Sequence, residues 1–168
     1  MIAIRPEREG DYIVIHEINV LVSGRENEAR LVKKIRERRG FIPELSLVAI
    51  KKGEVVGHIL FSRITIQSKT GSFPALALAP MAVHPKFQDQ GIGSKLVRHG
   101  LKCCRNQGHE IVVVVGHPQY YPRFGFTSAR AKGLEAPFAV PDKAFMVLEL
   151  SSVLCMVLQG WSPILKNS

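Results

Sequence analysis

The sequence predicts an α/β (α+β) domain built on a mixed, partly parallel central sheet. The apolar run Ala75–Val83, a glycine-containing loop, a helical segment and the β-branched run Ile111–Val115 follow one another, as in a right-handed βαβ unit. Ile111–Val115 is apolar throughout, which is typical of a strand covered by helices on both faces of a sheet. Two further β-rich runs, Leu45–Ile50 and Val55–Ile66, are joined by a short turn and predict an antiparallel hairpin.

The N-terminal part predicts one strand and two helices. Ile2–Arg5 alternates like a short strand, and Asp11–Val22 and Asn27–Arg38 both have helical periodicity. The apolar positions of these two helices are Ile15, Ile18, Leu21, Val22, Ala29, Leu31, Val32 and Ile35. Pro43 and Glu44 are expected to end the helical region before the strand Leu45–Ile50 begins.

The remaining elements follow from turns and periodicity. Residues 51–54 and 69–72 each contain a glycine between β-rich runs and predict hairpin turns. The helix after the glycine-containing loop is expected to end near Gly108, and its buried face is formed by Ile92, Leu96, Val97, Gly100, Leu101 and Cys104. Tyr120–Phe124 predicts only a brief helix after Pro118, and Phe145–Leu150 predicts the last strand.

Length and composition indicate a single soluble globular domain, residues 1–168, with 46% hydrophobic and 22% charged residues. The late apolar run Val153–Leu158 is too short to span a bilayer and no secretory signal is visible, so no membrane partner and a cytoplasmic location are expected. Cys103, Cys104 and Cys155 show no metal-ligand spacing, which predicts no metal site and small packing residues in a reducing compartment. An acyl-cysteine route would need a depressed thiol pKa.

The loop Gln88–Gly93 is the most informative segment for function. Glycine lets the backbone approach a ligand closely, and the unpaired N–H groups at the start of the next helix offer donors to an anion. The loop lacks the Lys-Ser/Thr pair of a P-loop and the full G-x-G-x-x-G of a dinucleotide site, so both common nucleotide interpretations fit poorly.

Gln88-x-x-Gly91-x-Gly93 resembles the coenzyme A signature of the GNAT acetyltransferases, Gln/Arg-x-x-Gly-x-Gly/Ala. The order of predicted elements also resembles the GNAT fold across nearly the whole chain, with helices on both faces of the sheet and a splayed strand pair. The resemblance implies that acetyl-CoA is the co-substrate. It implies that the pantetheine arm pairs with the strand at Met81, Ala82 and Val83, and that the pyrophosphate is held by N–H groups of Gln88, Asp89, Gln90, Gly91, Ile92, Gly93 and Ser94.

The second informative segment is Tyr120-Tyr-Pro-Arg-Phe-Gly-Phe126. Its double tyrosine followed by Arg-Phe-Gly-Phe resembles a branch of small prokaryotic GNAT proteins. GNAT members often carry a tyrosine four residues before the glycine of a Gly-Phe pair. That position is Tyr121, and the resemblance implies that it is the general acid. A phenol with a pKa of about 10 stays neutral at rest and can protonate a departing thiolate, whose thiol has a pKa of about 8.5. The alternative is that both tyrosines only pack a short helix onto the sheet.

The general base is not identified by the resemblance. Many family members use a glutamate on a central strand, but no acidic residue stands between Val55 and Val83. His84 and His117 have suitable chemistry; His84 is expected to cap the loop, and His117 is the candidate base. The asparagine that is frequent after this strand in the family is replaced by Gly116-His117-Pro118. An amine that is already neutral in the site would need no protein base.

The sequence therefore predicts an acetyl-CoA-dependent N-acetyltransferase that transfers the acetyl group to a primary amine by direct attack in a ternary complex. The acceptor is left open between a small-molecule amine and a peptide or protein amine, and a homodimer is compatible with the sequence. One alternative is a non-catalytic acyl-CoA sensor. Another uses the basic residues 25–39, which hold much of the net charge of +9, to bind nucleic acid. This segment has no interleaved aromatics, which favours a solvated helix face with pairs such as Glu26–Arg30.

Overall fold

The computed structural model describes residues 1–136 and 139–151, which contain three α-helices and eight strands. The helices are α1 (Tyr12–Ser23), α2 (Asn27–Arg36) and α3 (Ile92–Asn106). The strands are β1 (Ile2–Pro6), β2 (Phe41–Lys51), β3 (Glu54–Ser68), β4 (Gly71–Val83), β5 (Ile111–Val115), β6 (Thr127–Ser128), β7 (Leu134–Glu135) and β8 (Phe145–Glu149). The apolar run Val153–Leu158 and Cys155 lie outside the described residues.

The strands form one mixed sheet in the order β1-β2-β3-β4-β5-β8-β6, with β7 paired to β3. β2 and β3 are antiparallel, and their hairpin turn places Lys52 and Gly53 at φ 51° and 79°, as a tight two-residue turn requires. β4 and β5 are parallel, paired at Leu76–Val112 and Ala77–Val113. The parallel pair on either side of α3 confirms the predicted βαβ unit.

Cα packing divides the chain into two compact units, and the first comprises residues 1–62 and 78–103. Leu60 of β3 belongs to a buried cluster with Ile15 of α1 and Val32 of α2. Gly57 of the same strand lies against Leu96 of α3. Because residues 57 and 60 of a strand point to opposite faces, the helices of this unit cover both faces of the sheet, as predicted.

The second unit comprises residues 63–77 and the described residues from 104 to 151. In β5, the four residues from Ile111 to Val114 are buried, whereas Val115 is 46% exposed. The buried cluster of this unit consists of Ile66, Ala75, Ile111, Val113, Ala129, Leu134, Phe145 and Val147. The near-continuous burial of β5 confirms that a purely apolar run marks a strand covered on both faces.

The boundary between α2 and β2 differs from the prediction. The helix ends at Arg36 rather than Arg38, and the strand begins at Phe41, so Pro43 lies inside the strand instead of ending the helical region. The register with β3 shifts between Phe41 and Ser46. Proline is tolerated there because a strand irregularity does not require its missing N–H.

The apolar face of α1 is narrower than its sequence suggests. Ile15 and Ile18 are buried, but Leu21 and Val22 are 55% and 41% exposed. Asn19 is buried on this helix, and its side-chain amide donates to the carbonyl of Ile15 at 3.0 Å. A satisfied polar group therefore occupies a buried position on α1 while two apolar side chains face outward.

The basic segment 25–39 is only partly a solvated face. Glu26 contacts His16 of α1 at 3.2 Å, and the predicted Glu26–Arg30 ion pair is not formed among the described residues. The side chain of Arg36 is only 15% exposed and is bonded to Glu7. Arg36 is therefore paired inside the protein and is not part of an exposed basic surface that could bind nucleic acid. No helix in the described part of the chain has the length and apolar character needed to cross a bilayer.

Candidate active site

Hydrogen bonds to β3 and β4 hold the loop between β4 and α3 in place. The backbone N–H of His84 donates to the carbonyl of Val56 at 2.8 Å. Nδ1 of His84 accepts from the N–H of Lys86 at 3.1 Å, so His84 caps the loop as expected. The side-chain amide of Gln88 donates to the carbonyl of Val83 at 3.0 Å. The first residue of the motif therefore holds the loop against the end of β4 through its side chain.

The backbone of the loop turns sharply into α3. Asp89 and Gly91 have φ of 62° and 79°, in the left-handed region that glycine adopts without strain. Nothing lies within 4 Å of a Cβ built on Gly91, so this glycine is required by its conformation and not by crowding. The conformation places the chain at the helix start with open space beside it.

The first turn of α3 supplies unpaired donors. The carbonyl of Gly91 accepts the first helical hydrogen bond, from the N–H of Lys95 at 3.1 Å. The N–H groups of residues 91–94 precede this bond and have no partner within the helix, as at any helix start. The Ile92 side chain is 1% exposed, so it anchors the turn in the core and only its backbone is available to a ligand. Together with the helix dipole, these donors suit an anion.

Of the three β4 residues expected to line the coenzyme, Ala82 and Val83 are buried and Met81 is half-buried. The recorded parallel pairing of β4 with β5 is at Leu76 and Ala77, earlier in the strand. A ligand at this end of β4 would therefore contact mainly the backbone groups of the three residues and a small apolar surface.

Tyr121 begins a short 3₁₀-helix, Tyr121–Phe124, and is 8% exposed. Its ring packs edge-on against Tyr120 and Phe126, with centroid distances of 5.1 and 5.7 Å. Burial raises the pKa of Tyr121 to about 12, and Tyr120 adds to the shift. The phenol is consequently protonated at neutral pH and well above it, and a general acid must be protonated before it can donate.

Gly116, directly after β5, lies against the ring of Tyr121. A Cβ on Gly116 would overlap Cε2 of Tyr121. The absence of a side chain at residue 116 is thus what allows the Tyr121 ring to occupy its position.

His117 contributes its backbone to the same turn. Its carbonyl accepts from the N–H groups of Tyr120 and Tyr121 at 3.1 and 3.4 Å, and its side chain is exposed. An exposed imidazole is accessible to an acceptor amine, and the role of base stays a prediction.

The two cysteines in the part of the chain that the structure describes do not support a covalent route. Cys103 is half-buried and Cys104 is buried, and neither is part of a disulfide. Burial raises the pKa of the Cys103 thiol and Lys102 only partly opposes the shift, whereas a nucleophilic thiol needs a lowered pKa. In the part of the chain that the structure describes, no group of three or more His, Cys, Asp or Glu side chains could hold a metal ion.

A buried polar cluster in the first unit escaped the sequence reasoning. The carboxylate of Glu7 accepts two bonds from Arg36, at 2.8 and 3.0 Å, and a third from the hydroxyl of Ser46. Nε2 of His58 lies 3.0 Å from Oγ of Ser46 and 3.6 Å from Glu7. Glu7 directly follows β1, and Arg36, Ser46 and His58 lie in α2, β2 and β3, so the cluster links four elements of this unit.

The cluster is charged only at Glu7 and Arg36. Burial alone would raise the pKa of Glu7, but hydrogen bonds from His58, Arg36 and Ser46 outweigh burial and lower the pKa to about 2. Burial lowers the pKa of His58, although Glu7 partly opposes this, so His58 is neutral. Its Nδ1 is buried without a partner, which fits a proton on Nε2 directed at Ser46. The available sequence signal was a lone histidine inside the apolar run 55–61.

Sequence comparison matches residues 43–128, about half of the chain, to the family described as "Acetyltransferase (GNAT) domain". The chain is 39% identical over 149 residues to the uncharacterized N-acetyltransferase YjhQ of Escherichia coli K12, covering 87% of this chain and 82% of YjhQ. It is 36% identical over 125 residues to the uncharacterized N-acetyltransferase YhbS of the same strain, covering 74% and 72%.

Two similar solved structures contain coenzyme ligands. YhbS from Escherichia coli in complex with CoA has a TM-score of 0.83 and 30% identity, covering 96% of this chain and 86% of YhbS. A GNAT family acetyltransferase from Brucella melitensis in complex with acetyl-CoA has a TM-score of 0.72 and 29% identity, covering 90% and 89%. The fold described above is therefore similar to the folds of two proteins crystallised with CoA or acetyl-CoA.

Proposed function

Since this chain belongs to the GNAT family of N-acetyltransferases, we propose that it transfers an acetyl group from acetyl-CoA to a primary amine by direct attack in a ternary complex. The observation that carries the proposal is the helix start at Gly91, where a left-handed glycine and the N–H groups of residues 91–94 leave an open, donor-rich backbone. The CoA and acetyl-CoA complexes of the similar proteins support the assignment of the donor.

The pyrophosphate of the donor is assigned to residues 88–94 and its pantetheine arm to the backbone of Met81, Ala82 and Val83. The loop residues would act mainly through backbone N–H groups, because Gln88 uses its side chain to hold the loop and Ile92 uses its side chain in the core. A backbone cradle of this kind binds phosphate independently of side-chain protonation.

In the proposed reaction the amine nitrogen attacks the thioester carbonyl carbon, the carbon–sulfur bond breaks, and an amide and free CoA are formed. The attacking nitrogen loses one proton to His117 or to water as the amide forms. Tyr121 gives its phenolic proton to the departing thiolate and recovers a proton from solvent. His117 is the proposed base for acceptors that arrive protonated. The raised pKa of Tyr121, about 12, means that the phenol is protonated when the thiolate departs, and burial of the ring holds the hydroxyl in place.

The acid role of Tyr121 can be tested by a substitution at Gly116, which lies against the Tyr121 ring. Gly116→Ala is expected to push the ring aside and to lower kcat at least about ten-fold, since small displacements of a catalytic group are costly. The extra methyl group is also expected to cost about 1–3 kcal/mol of unfolding free energy, measured by urea denaturation. Gly10→Ala is the matched control, because nothing lies within 4 Å of a Cβ at residue 10. Wild-type turnover in Gly116→Ala would show that the ring position does not matter.

The proposed activity is tested by measuring release of free CoA thiol from acetyl-CoA across a panel of amines. The panel contains small amines, amino acids, peptides with a free amino terminus and peptides with a lysine side chain. We expect thiol release that depends on at least one amine and saturates with it. Saturable binding of acetyl-CoA without transfer to any acceptor class would favour the sensor alternative.

A further inference from the structure

We propose that Lys51 binds the pyrophosphate of the coenzyme and completes, from a different strand, the site formed by the glycine-containing loop. The inference rests on the proposed function, since it names an additional residue of the same site. Lys51 lies outside the Gln88-x-x-Gly91-x-Gly93 motif, 37 residues before Gln88 in the chain.

The structure holds the Lys51 ammonium against the loop. Its Nζ donates to Oε1 of Gln90 at 2.7 Å and stands 5.5 Å from the centroid of the Phe87 ring. Both partners belong to the loop, one on each side of Gln88. The ammonium is therefore located beside the segment that carries the unpaired N–H groups, at a point the sequence motif does not reveal.

The backbone at Lys51 is well defined. Lys51 is the last residue of β2 and pairs with Glu54 across the tight turn formed by Lys52 and Gly53. A two-residue turn fixes the register of the hairpin, so the attachment point of the Lys51 side chain relative to β3 is fixed as well. Binding a ligand would therefore cost only the conformational entropy of the Lys51 side chain, because the backbone is already ordered.

The charge of Lys51 is available to an anion. Its recorded partners, the amide oxygen of Gln90 and the face of an aromatic ring, are both neutral. Among the described residues no carboxylate lies within ion-pair distance of its ammonium. Gln90 uses one of the three ammonium donors, which leaves donors for phosphate oxygens. A cation held by neutral groups beside a row of backbone donors is suited to a doubly charged pyrophosphate.

The test compares Lys51→Gln with Lys52→Gln, which removes the same charge from the adjacent, exposed residue of the same turn. Dissociation constants are measured calorimetrically for three probes: CoA, dephospho-CoA, which lacks the 3′-phosphate, and S-acetylpantetheine, which lacks both phosphate groups. We expect Lys51→Gln to weaken CoA and dephospho-CoA equally, by about three- to ten-fold, and to leave S-acetylpantetheine unchanged. Lys52→Gln is expected to bind all three probes like the wild type, and Lys51→Arg is expected to retain affinity.

Each other outcome overturns a specific part of the account. Wild-type protein that binds none of the probes contradicts the proposed function itself. Wild-type affinity in Lys51→Gln, or an equal loss in Lys52→Gln, overturns the inference because the effect is then absent or is a general effect of net charge. A loss confined to CoA assigns Lys51 to the 3′-phosphate and overturns the pyrophosphate contact.

Discussion

Tyr121→Phe is expected to lower kcat for acetyl transfer about 100-fold while acetyl-CoA binds with nearly unchanged affinity. The substitution removes only the hydroxyl, and the ring that packs against Tyr120 and Phe126 is kept. The proton for the thiolate must then come from water, which is less well placed. Because the pKa of Tyr121 is raised to about 12, the wild-type rate should show no loss from tyrosine ionisation up to pH values near 10.

Tyr120→Phe is the matched control for this experiment. Tyr120 is the adjacent tyrosine, and the Arg123 guanidinium lies over its ring at 4.6 Å, a contact that phenylalanine preserves. We expect Tyr120→Phe to retain wild-type kcat. Equal rates for wild type and Tyr121→Phe, measured by thiol release under saturating substrates, would remove Tyr121 from the mechanism.

Glu7→Gln is expected to lower the free energy of unfolding by about 3 kcal/mol at neutral pH. The variant leaves the Arg36 guanidinium, which is largely buried, without its carboxylate. It also weakens the chain of hydrogen bonds through Ser46 and His58. Glu9→Gln is the control, because Glu9 is exposed and lies two residues after Glu7. It should change the unfolding free energy by less than about 0.5 kcal/mol.

The pH dependence of this difference follows from the pKa of Glu7. The folded-state pKa, about 2, lies below the ordinary value of 4.5, so the ionised carboxylate contributes stability that is fully present above about pH 4.5. This contribution is lost as the pH falls towards 2, because the native carboxylate is then protonated. Urea denaturation curves of wild type and Glu7→Gln should therefore converge in acid. A gap that stays constant down to about pH 2 would show that the charge of Glu7 is not its source.

Much of the fold could be predicted because its signals are local. The buried face of α3 and the burial of β5 could be predicted from the pattern of apolar residues within each segment, and both are confirmed. The β2 start at Phe41 could not be predicted, because a proline inside a strand is tolerated only where the pairing is irregular. The exposure of Leu21 also depends on a long-range fact, namely how α1 packs on the sheet.

The candidate site divides in the same way. The loop residues 88–93 and Tyr121 belong to contiguous motifs, so their chemistry could be inferred from the residues next to them in the sequence. Glu7 and His58 are 51 residues apart and share no spacing pattern, and only the pairing of β1, β2 and β3 brings them together. Lys51 is likewise one of two adjacent lysines in a turn, and only the three-dimensional structure shows which of them reaches Gln90.

The central claim, that the coenzyme phosphates bind at the start of α3, is tested most directly by titrating acetyl-CoA into Ser94→Asp. Ser94 lies in the first turn of α3 and is half-buried. A carboxylate there complements the helix dipole, so the unfolding free energy should be unchanged or higher by about 0.3–1 kcal/mol. The same carboxylate repels the pyrophosphate and competes for its N–H donors. We expect acetyl-CoA affinity to fall at least about ten-fold in Ser94→Asp but not in Ser94→Ala; wild-type affinity in a stably folded Ser94→Asp would contradict the claim.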